Sequence, residues 1–128
     1  MTIEGTLYTR LTTHAGLSAL IDDRVFPNHL PQDVTYPAIS YRRVTSSRPS
    51  NFGADAGIVR ARFQVDVWAS SYDSASAVRE QVRLALQRWK NTSGTVVQDS
   101  FFLDDQELYE DDIDVHHFPL DFEIIYEE

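Results

Sequence analysis

The chain lacks cysteine altogether, and none of its apolar runs approaches the roughly 20 residues of a membrane-spanning helix. The missing cysteine excludes disulfide bonds and thiolate metal sites. The first residues, Met-Thr-Ile-Glu-Gly-Thr, lack the basic start and the apolar stretch of a signal peptide. The few glycines are scattered, and the sequence has no glycine-rich phosphate loop. We therefore expect a soluble protein that is made in a cytoplasm and does not bind a membrane.

Positive charge is missing from the last part of the chain. Residues 1–98 contain all 11 Lys and Arg residues and 8 acids, whereas residues 99–128 contain 12 acids and no Lys or Arg. The net charge of −9 argues against ordinary nucleic-acid binding, which needs cations along the phosphates. Two interpretations stay open. The acids form a solvated edge, or a basic strand face of one copy meets the acidic edge of the next copy in a head-to-tail ring.

Residues 58–90 have the pattern of one long strand followed by one long helix. Apolar and polar residues alternate up to Trp68, as in a strand with one buried face. Ser70 and Asp73 predict a capping box at the start of the helix. Helical spacing of apolar residues then continues to residue 90, and residues 91–94 are typical of a helix end. We expect this helix to lie on the apolar face of the strand.

The remaining segments predict further helices and strands around this unit. Residues 3–21 predict a helix that breaks near residues 13–16, because Gly16 costs about 1 kcal/mol in a helix interior. Residues 25–33 predict an ordered loop, since two prolines deny hydrogen-bond donors to a sheet. Residues 36–46 predict a strand, and residues 46–57 a long connection rich in turn-forming residues.

The C-terminal third predicts strands. Residues 95–102 form one strand, residues 103–109 continue it or form a separate short strand, and residues 110–114 form a turn. In the last strand Phe118, Leu120, Phe122, Ile124 and Tyr126 face one way. These elements predict the α+β class, with a mainly antiparallel sheet of four to five strands and helices packed on one face. The length of 128 residues predicts a single domain, residues 1–128.

No group of residues in the sequence assembles a convincing active site. The adjacent His116 and His117 point to opposite faces of a strand and cannot bind one ion together. The acids between positions 104 and 114 lack the glycine and the ligand spacing of a calcium-binding loop. We therefore predict no catalytic residue, no metal and no cofactor. A small hydrolase that uses these carboxylates stays open, and it would need a pocket lined by the acids and a histidine, or a bound metal.

Several exposed positions are instead candidates for contact with a partner. Trp68 lies on the polar face of the central strand, so it is either covered by another part of the chain or offered to a partner. Arg48 and Phe52 lie in the long connection and are available for binding. The candidate interface residues are Arg42, Arg43, Arg48, Phe52, Arg60, Arg62, Trp68, Asp104, Asp105, Asp111 and Asp112.

The order and spacing of short motifs along almost the full chain resemble the bacteriophage tail-completion (tail-terminator) family. The motifs are Gly16-Leu17-Ser18-Ala19-Leu20-Ile21, Asp23-Arg24-Val25-Phe26-Pro27, Leu30-Pro31-Gln32, Tyr36-Pro37-Ala38-Ile39-Ser40-Tyr41, Arg62-Phe63-Gln64-Val65-Asp66-Val67-Trp68-Ala69, Leu103-Asp104-Asp105, Leu108-Tyr109-Glu110, Leu120-Asp121-Phe122 and Ile125-Tyr126. The family has no catalytic motif, so the resemblance implies structural work rather than an enzyme.

The resemblance implies a fold similar to that of the lambdoid tail terminator, whose α+β subunits close into a hexameric ring. It implies that the ring caps the tail tube at the head–tail junction of a virion and binds the tube protein and the head–tail connector. DNA would pass through its lumen without specific binding. The connection at residues 46–57 is a candidate for contact with the tube or a neighbouring ring. Alternatives are a head-completion or connector subunit and a monomeric adaptor domain.

Overall fold

The computed structural model describes residues 2–51, 54–55 and 57–128, which form three helices and eight strands. In chain order these are α1 (Ile3–Thr13), α2 (Ala15–Ile21), β1 (Val25–Pro27), β2 (Ala38–Ser47), β3 (Ser50–Asn51), β4 (Ala54–Asp55), β5 (Ile58–Ala69), α3 (Tyr72–Leu86), β6 (Val97–Asp105), β7 (Leu108–Glu110) and β8 (Val115–Glu127). None of the helices in these residues is both long enough and apolar enough to cross a membrane.

The main sheet has six strands in the order β1-β2-β5-β8-β6, with β7 also paired to β8. All pairs are antiparallel except β1 with β2, which run parallel. The α+β class and the mainly antiparallel sheet are confirmed, but the predicted count of four to five strands is wrong. Residues 25–27 were expected in a loop because of their proline. Pro27 is tolerated because it ends a three-residue strand at the sheet edge.

The alternating rows of β5 and β8 meet in the centre of the sheet and supply most of the core. Phe63 lies opposite Phe122, and Val65 lies opposite Leu120. These side chains are buried on the face that α3 covers, while α1 and α2 pack beside α3. The apolar positions of α3 are buried as the helical spacing predicts: Ala75, Val78, Val82, Ala85 and Leu86. The prediction that the long helix lies on the apolar face of the central strand is therefore confirmed.

The ends of α3 differ from the sequence prediction. Ser71 is the N-cap, and its hydroxyl accepts a hydrogen bond from the backbone N–H of Ser74 at 3.2 Å, so the expected capping box of Ser70 and Asp73 is wrong. The helix also ends at Leu86 rather than near Lys90, because Arg88 takes a positive φ of 58° and turns the chain back. Trp89 remains only 6% exposed because this turn returns it to the core.

The N-terminal helix breaks where the sequence predicts. His14 has a ψ of 117° and ends α1. It also caps α2, because its Nδ1 accepts a hydrogen bond from the backbone N–H of Leu17 at 3.3 Å. In the long connection between β2 and β5, strands β3 and β4 pair as a small hairpin. Phe52, a predicted partner-binding residue, lies outside the described residues.

The outer edge of β6 is covered by the segment that follows α3. The backbone N–H of Arg88 donates to the carbonyl of Ser100 at 2.7 Å, and the backbone N–H of Phe102 donates to the side-chain carbonyl of Gln87 at 2.6 Å. Asn91 and Val97 exchange two backbone hydrogen bonds. The outward backbone groups of Val97, Ser100 and Phe102 are therefore already satisfied within the chain.

Candidate partner-binding surface

Of the predicted interface residues, the face of the sheet opposite the helices contains Arg42, Arg60, Arg62 and Trp68. The polar row of β5, which is Arg60, Arg62, Gln64, Asp66 and Trp68, lies on this face. It is flanked by Ser40 and Arg42 of β2 and by His117, Asp121 and Glu123 of β8. The period of two along β5 places these side chains together, and the β5–β8 register sets which of them touch.

Most of the predicted basic residues are neutralised within the chain. Arg62 pairs with Asp121 at 2.6 Å and Arg60 with Glu123 at 3.7 Å, both across the β5–β8 pair. Arg48 pairs with the C-terminal residue Glu128 at 2.6 Å. The segregation of charge along the sequence is therefore largely cancelled in space, because β8 brings its acids against the arginines of β5.

Arg42 and Arg43 point to opposite sides of the sheet. Arg42 stays on the open face and donates to Gln64 at 3.2 Å. Arg43 instead lies on the helix side, where it pairs with Glu4 of α1 at 3.1 Å and stacks near Phe63 at 5.5 Å. The structure thus separates these two predicted interface residues.

The predicted acidic residues fall into two groups. Asp105 pairs with Arg79 of α3 at 3.7 Å, and Asp104 accepts a hydrogen bond from the backbone N–H of Asp105 at 2.8 Å. Asp111 and Asp112 lie in the exposed turn between β7 and β8, which we call the acidic turn (residues 111–114). Within the described part of the chain no Lys or Arg forms an ion pair with either residue. The acidic turn thus carries uncompensated negative charge.

Trp68 is the centre of a network that sequence reasoning only partly anticipated. Its indole N–H donates to the hydroxyl of Ser40 at 3.0 Å, and its ring stacks on His117 with centroids 3.8 Å apart and planes 6° apart. His117 Nε2 lies 2.8 Å from Asp66 Oδ1, and His117 Nδ1 lies 3.1 Å from Glu110 Oε1. Trp68 is thus partly covered by its own chain, which was one of the two predicted outcomes.

The carboxylates favour the charged form of His117. Burial alone would lower the pKa of His117, but the hydrogen bonds to Asp66 and Glu110 outweigh burial and raise this pKa above its ordinary value of 6.5. Only the protonated ring donates from both nitrogens at once. Both nitrogens are thus engaged, and neither is free to accept a proton from a substrate. The geometry therefore favours a structural clamp over general-base chemistry.

Sequence reasoning missed His117, Asp66 and Glu110 as members of one network. The alternation along β5 does place Asp66 beside Trp68, and this signal was available. The position of His117 against both of them depends on the β5–β8 register, which no local pattern contains. His116, as predicted, points to the other face, where it packs against the ring of Tyr72 at 5.9 Å.

A pocket opens next to Trp68 on the same face. It has a volume of about 590 Å³ and is lined by Trp68, Ser40 and Asp66 from the sheet and by the loop of residues 28–34. Tyr36 and Ile113 complete its wall, and Ile113 is 55% exposed. The wall combines apolar side chains with carboxylates and holds no Lys or Arg, which suits an apolar partner group beside a cation.

A smaller pocket of about 210 Å³ contains the acids and the histidine that a hydrolase would need. It is lined by Asp104, Asp105, Asp121 and His117, among others. However, Asp105 and Asp121 are ion-paired with arginines, and His117 is held by two carboxylates. Among the described residues no three His, Asp or Glu side chains are grouped closely enough to hold a metal ion. The arrangement therefore supports a folded scaffold better than a hydrolytic site.

Comparison with known proteins gives structural relatives and one family. The fold is similar to that of a chain in the virion of a native gene transfer agent particle, with a TM-score of 0.80 and 19% sequence identity over 95% of this chain and 92% of that chain. At this identity the likeness concerns the fold. No curated protein sequence matches the chain. The family model for tail completion protein gp17 matches residues 5–127, and the chain therefore belongs to this family of structural proteins of phage tails.

Proposed function

We propose that the protein caps the tail tube of a phage or phage-like particle as a ring and forms the surface on which head and tail join. The observation that carries the proposal is the family match, which spans residues 5–127 of a 128-residue chain. One family model thus accounts for almost all of this sequence. Its role is structural, and its place is the tail of the particle, after synthesis in the cytoplasm of the host.

The shape and charge of the subunit suit a ring of six copies. The long strands β5 and β8 give the subunit two distinct ends, which is what a head-to-tail contact requires. The net charge of −9 suits a lumen through which DNA passes, because phosphates are repelled rather than held. DNA is accordingly a passing cargo and not a specific ligand.

The surfaces for other partners lie on the open face and at the ends of the sheet. The pocket beside Trp68 is large enough for an apolar side chain of the tube protein or of the connector. The connection between β2 and β5, in which Arg48 and Phe52 lie, is our candidate for contact with the tube or with a neighbouring ring. Arg42, Arg60 and Arg62 contribute to an interface by exchanging their present partners for acids of another chain.

The runner-up is a head-completion or connector subunit of the same neck. It predicts that the protein binds the portal of capsids that have no tail. A hydrolase has less support, since the carboxylates that it would use are engaged in ion pairs.

The test is the mass of the protein in solution, measured by light scattering, alone and then with purified tail tubes. We expect particles of six times the monomer mass of 14.6 kDa, either free or at tube ends. Tubes should then stop growing and join filled heads. A protein that stays monomeric and ignores tubes refutes the proposal, while binding to tail-less capsids alone favours the connector alternative.

A further inference from the structure

A basic pocket lies at the end of the molecule remote from the acidic turn. It has a volume of about 230 Å³ and lies between α1 and the segment that follows α3. Arg10 and Lys90 are its charged residues, and Thr9, Asn91 and Ser93 add hydroxyl and amide groups. No acidic residue lines it among the residues that the structure describes. We call this site the Arg10–Lys90 pocket.

The two cations of this pocket are not consumed by ion pairs within the chain. Arg10 uses its Nε to donate to the carbonyl of Ala85 at 2.8 Å, which leaves its terminal nitrogens for other acceptors. Lys90 is exposed, and no described carboxylate forms an ion pair with it. Asp99 is the nearest acid to influence it, but Asp99 is held by Arg88 at 2.5 Å. The pocket therefore offers positive charge to an outside anion.

The acidic turn is the matching surface. Asp111, Asp112 and Asp114 are exposed, and within the described residues none of them has an ion-pair partner. The arginines that balance the other C-terminal acids lie on β5, α3 and the segment after α3, out of reach of this turn. Among the described residues, the acidic turn thus keeps negative charge at one end of β8, and the Arg10–Lys90 pocket keeps positive charge near the other end.

One molecule cannot bring these two surfaces together. The acidic turn precedes β8 at Val115, and the Arg10–Lys90 pocket adjoins the other end of β8, where Tyr126 pairs with Val97 and Val97 pairs with Asn91. The two ends are eleven residue steps apart along β8, which is about 35 Å at the usual rise. Contact between turn and pocket therefore requires a second copy, and a contact between different surfaces of identical chains produces a ring or an open filament.

We propose that the acidic turn of one copy docks in the Arg10–Lys90 pocket of the next copy, and that this contact orients the subunits head to tail. The inference rests on the proposed ring and names its contact. In this contact the positive charge comes from Arg10 and Lys90. It does not come from the arginines of β5, which are already paired within the chain. Carboxylates beside a guanidinium and an ammonium form charge-assisted hydrogen bonds that set the register of the two subunits.

The experiment compares single charge reversals with their combination. Lys90→Glu and Asp112→Lys each place like charges in the contact, while the double variant restores opposite charges with exchanged signs. Asp23→Lys is the matched control, because it makes the same charge change as Asp112→Lys on another exposed turn. All four variants change exposed side chains, and their thermal unfolding is checked first.

The readout is the protein concentration at half-maximal ring formation, free or on tube ends, at low salt. We expect each single reversal to raise this concentration about tenfold or more. The double variant should return to within about threefold of the wild-type concentration, and Asp23→Lys should leave the concentration unchanged. If the wild type assembles and both reversals assemble equally well, the contact is wrong while the ring stands. If the wild type assembles in neither condition, both proposals are wrong.

Discussion

Replacing His117 with phenylalanine tests whether the clamp between β5, β7 and β8 stabilises the fold. The phenyl ring keeps the stack on Trp68 but removes both hydrogen bonds to carboxylates. Asp66 is only 5% exposed and would then keep Gln64 as its hydrogen-bond donor at 2.8 Å. Removing one partner of a buried ion pair costs about 3–5 kcal/mol. Because Gln64 remains, we expect a loss near the lower limit, about 3 kcal/mol in the free energy of unfolding.

The contact with Glu110 adds little to this figure. The side chain of Glu110 is 42% exposed, and exposed ion pairs are worth about 0–1 kcal/mol. The expected change in melting temperature at pH 6 is therefore a decrease of about 10 °C for a domain of this size. Asp66→Asn in the same chain removes the unpaired charge, so the double variant should recover most of the loss. Urea denaturation of the wild type, both single variants and the double variant gives the coupling energy.

The pH dependence gives a second, independent readout. The pKa of His117 is raised in the folded state, so its stabilising effect is fully present below the unfolded value of about 6.5 and is lost as the pH rises through the folded value. His14 acts in the opposite direction, since burial and Arg10 lower its pKa. We therefore compare the free energy of unfolding of the wild type with that of His117→Phe. The difference between the two should shrink between pH 6 and pH 9.

Two results would refute this reasoning. One is an unfolding free energy of His117→Phe within about 0.5 kcal/mol of the wild type at pH 6, which is the range of an ordinary surface substitution. The other is a loss that does not change with pH and is not relieved by Asp66→Asn. The first result would mean that the ring stack, which phenylalanine keeps, holds the strands at this point. The second would mean that the loss does not come from the charge pair.

Three further substitutions test the fold. Ser71→Ala should lower the free energy of unfolding by about 1 kcal/mol because it removes the N-cap of α3, whereas Ser70→Ala should leave urea denaturation unchanged. Phe122→Ala should cost about 3–5 kcal/mol by opening a cavity opposite Phe63, which calorimetry would detect as a large decrease in melting temperature. Gly16→Ala brings a Cβ against the side-chain amide of Gln81, which is the end of a flexible side chain and can turn aside, so it should stabilise α2 by about 0.5–1 kcal/mol; a loss of stability that Gln81→Ala relieves would contradict this reasoning.

The parts of the fold with a long, regular period were predictable. The alternation in β5 and β8 extends over more than three repeats, and the helical spacing of α3 begins directly afterwards, so the strand–helix unit and the buried face of β8 are confirmed. The break between α1 and α2 was also predictable, since Gly16 disfavours a continuous helix there.

Short elements and long-range pairs were not predictable from local pattern. Strand β1 has three residues and one of them is proline, so its pairing depends on the neighbouring β2 rather than on its own propensity. The N-cap of α3 was displaced by one residue because Ser70 and Ser71 are equally good caps by composition. The partners Arg62 and Asp121 lie 59 residues apart, so their neutralisation follows from sheet register and not from sequence spacing.

The covered edge of β6 has a consequence for how copies of the protein can associate. An open strand edge is a template on which further chains can add without limit. Gln87, Arg88 and Asn91 occupy that template at β6, so a second chain at this edge would meet side chains and not free backbone groups. Side-chain contacts dissociate more readily than a shared sheet, so an association at this edge stays reversible. This edge of β6 therefore does not seed a fibre.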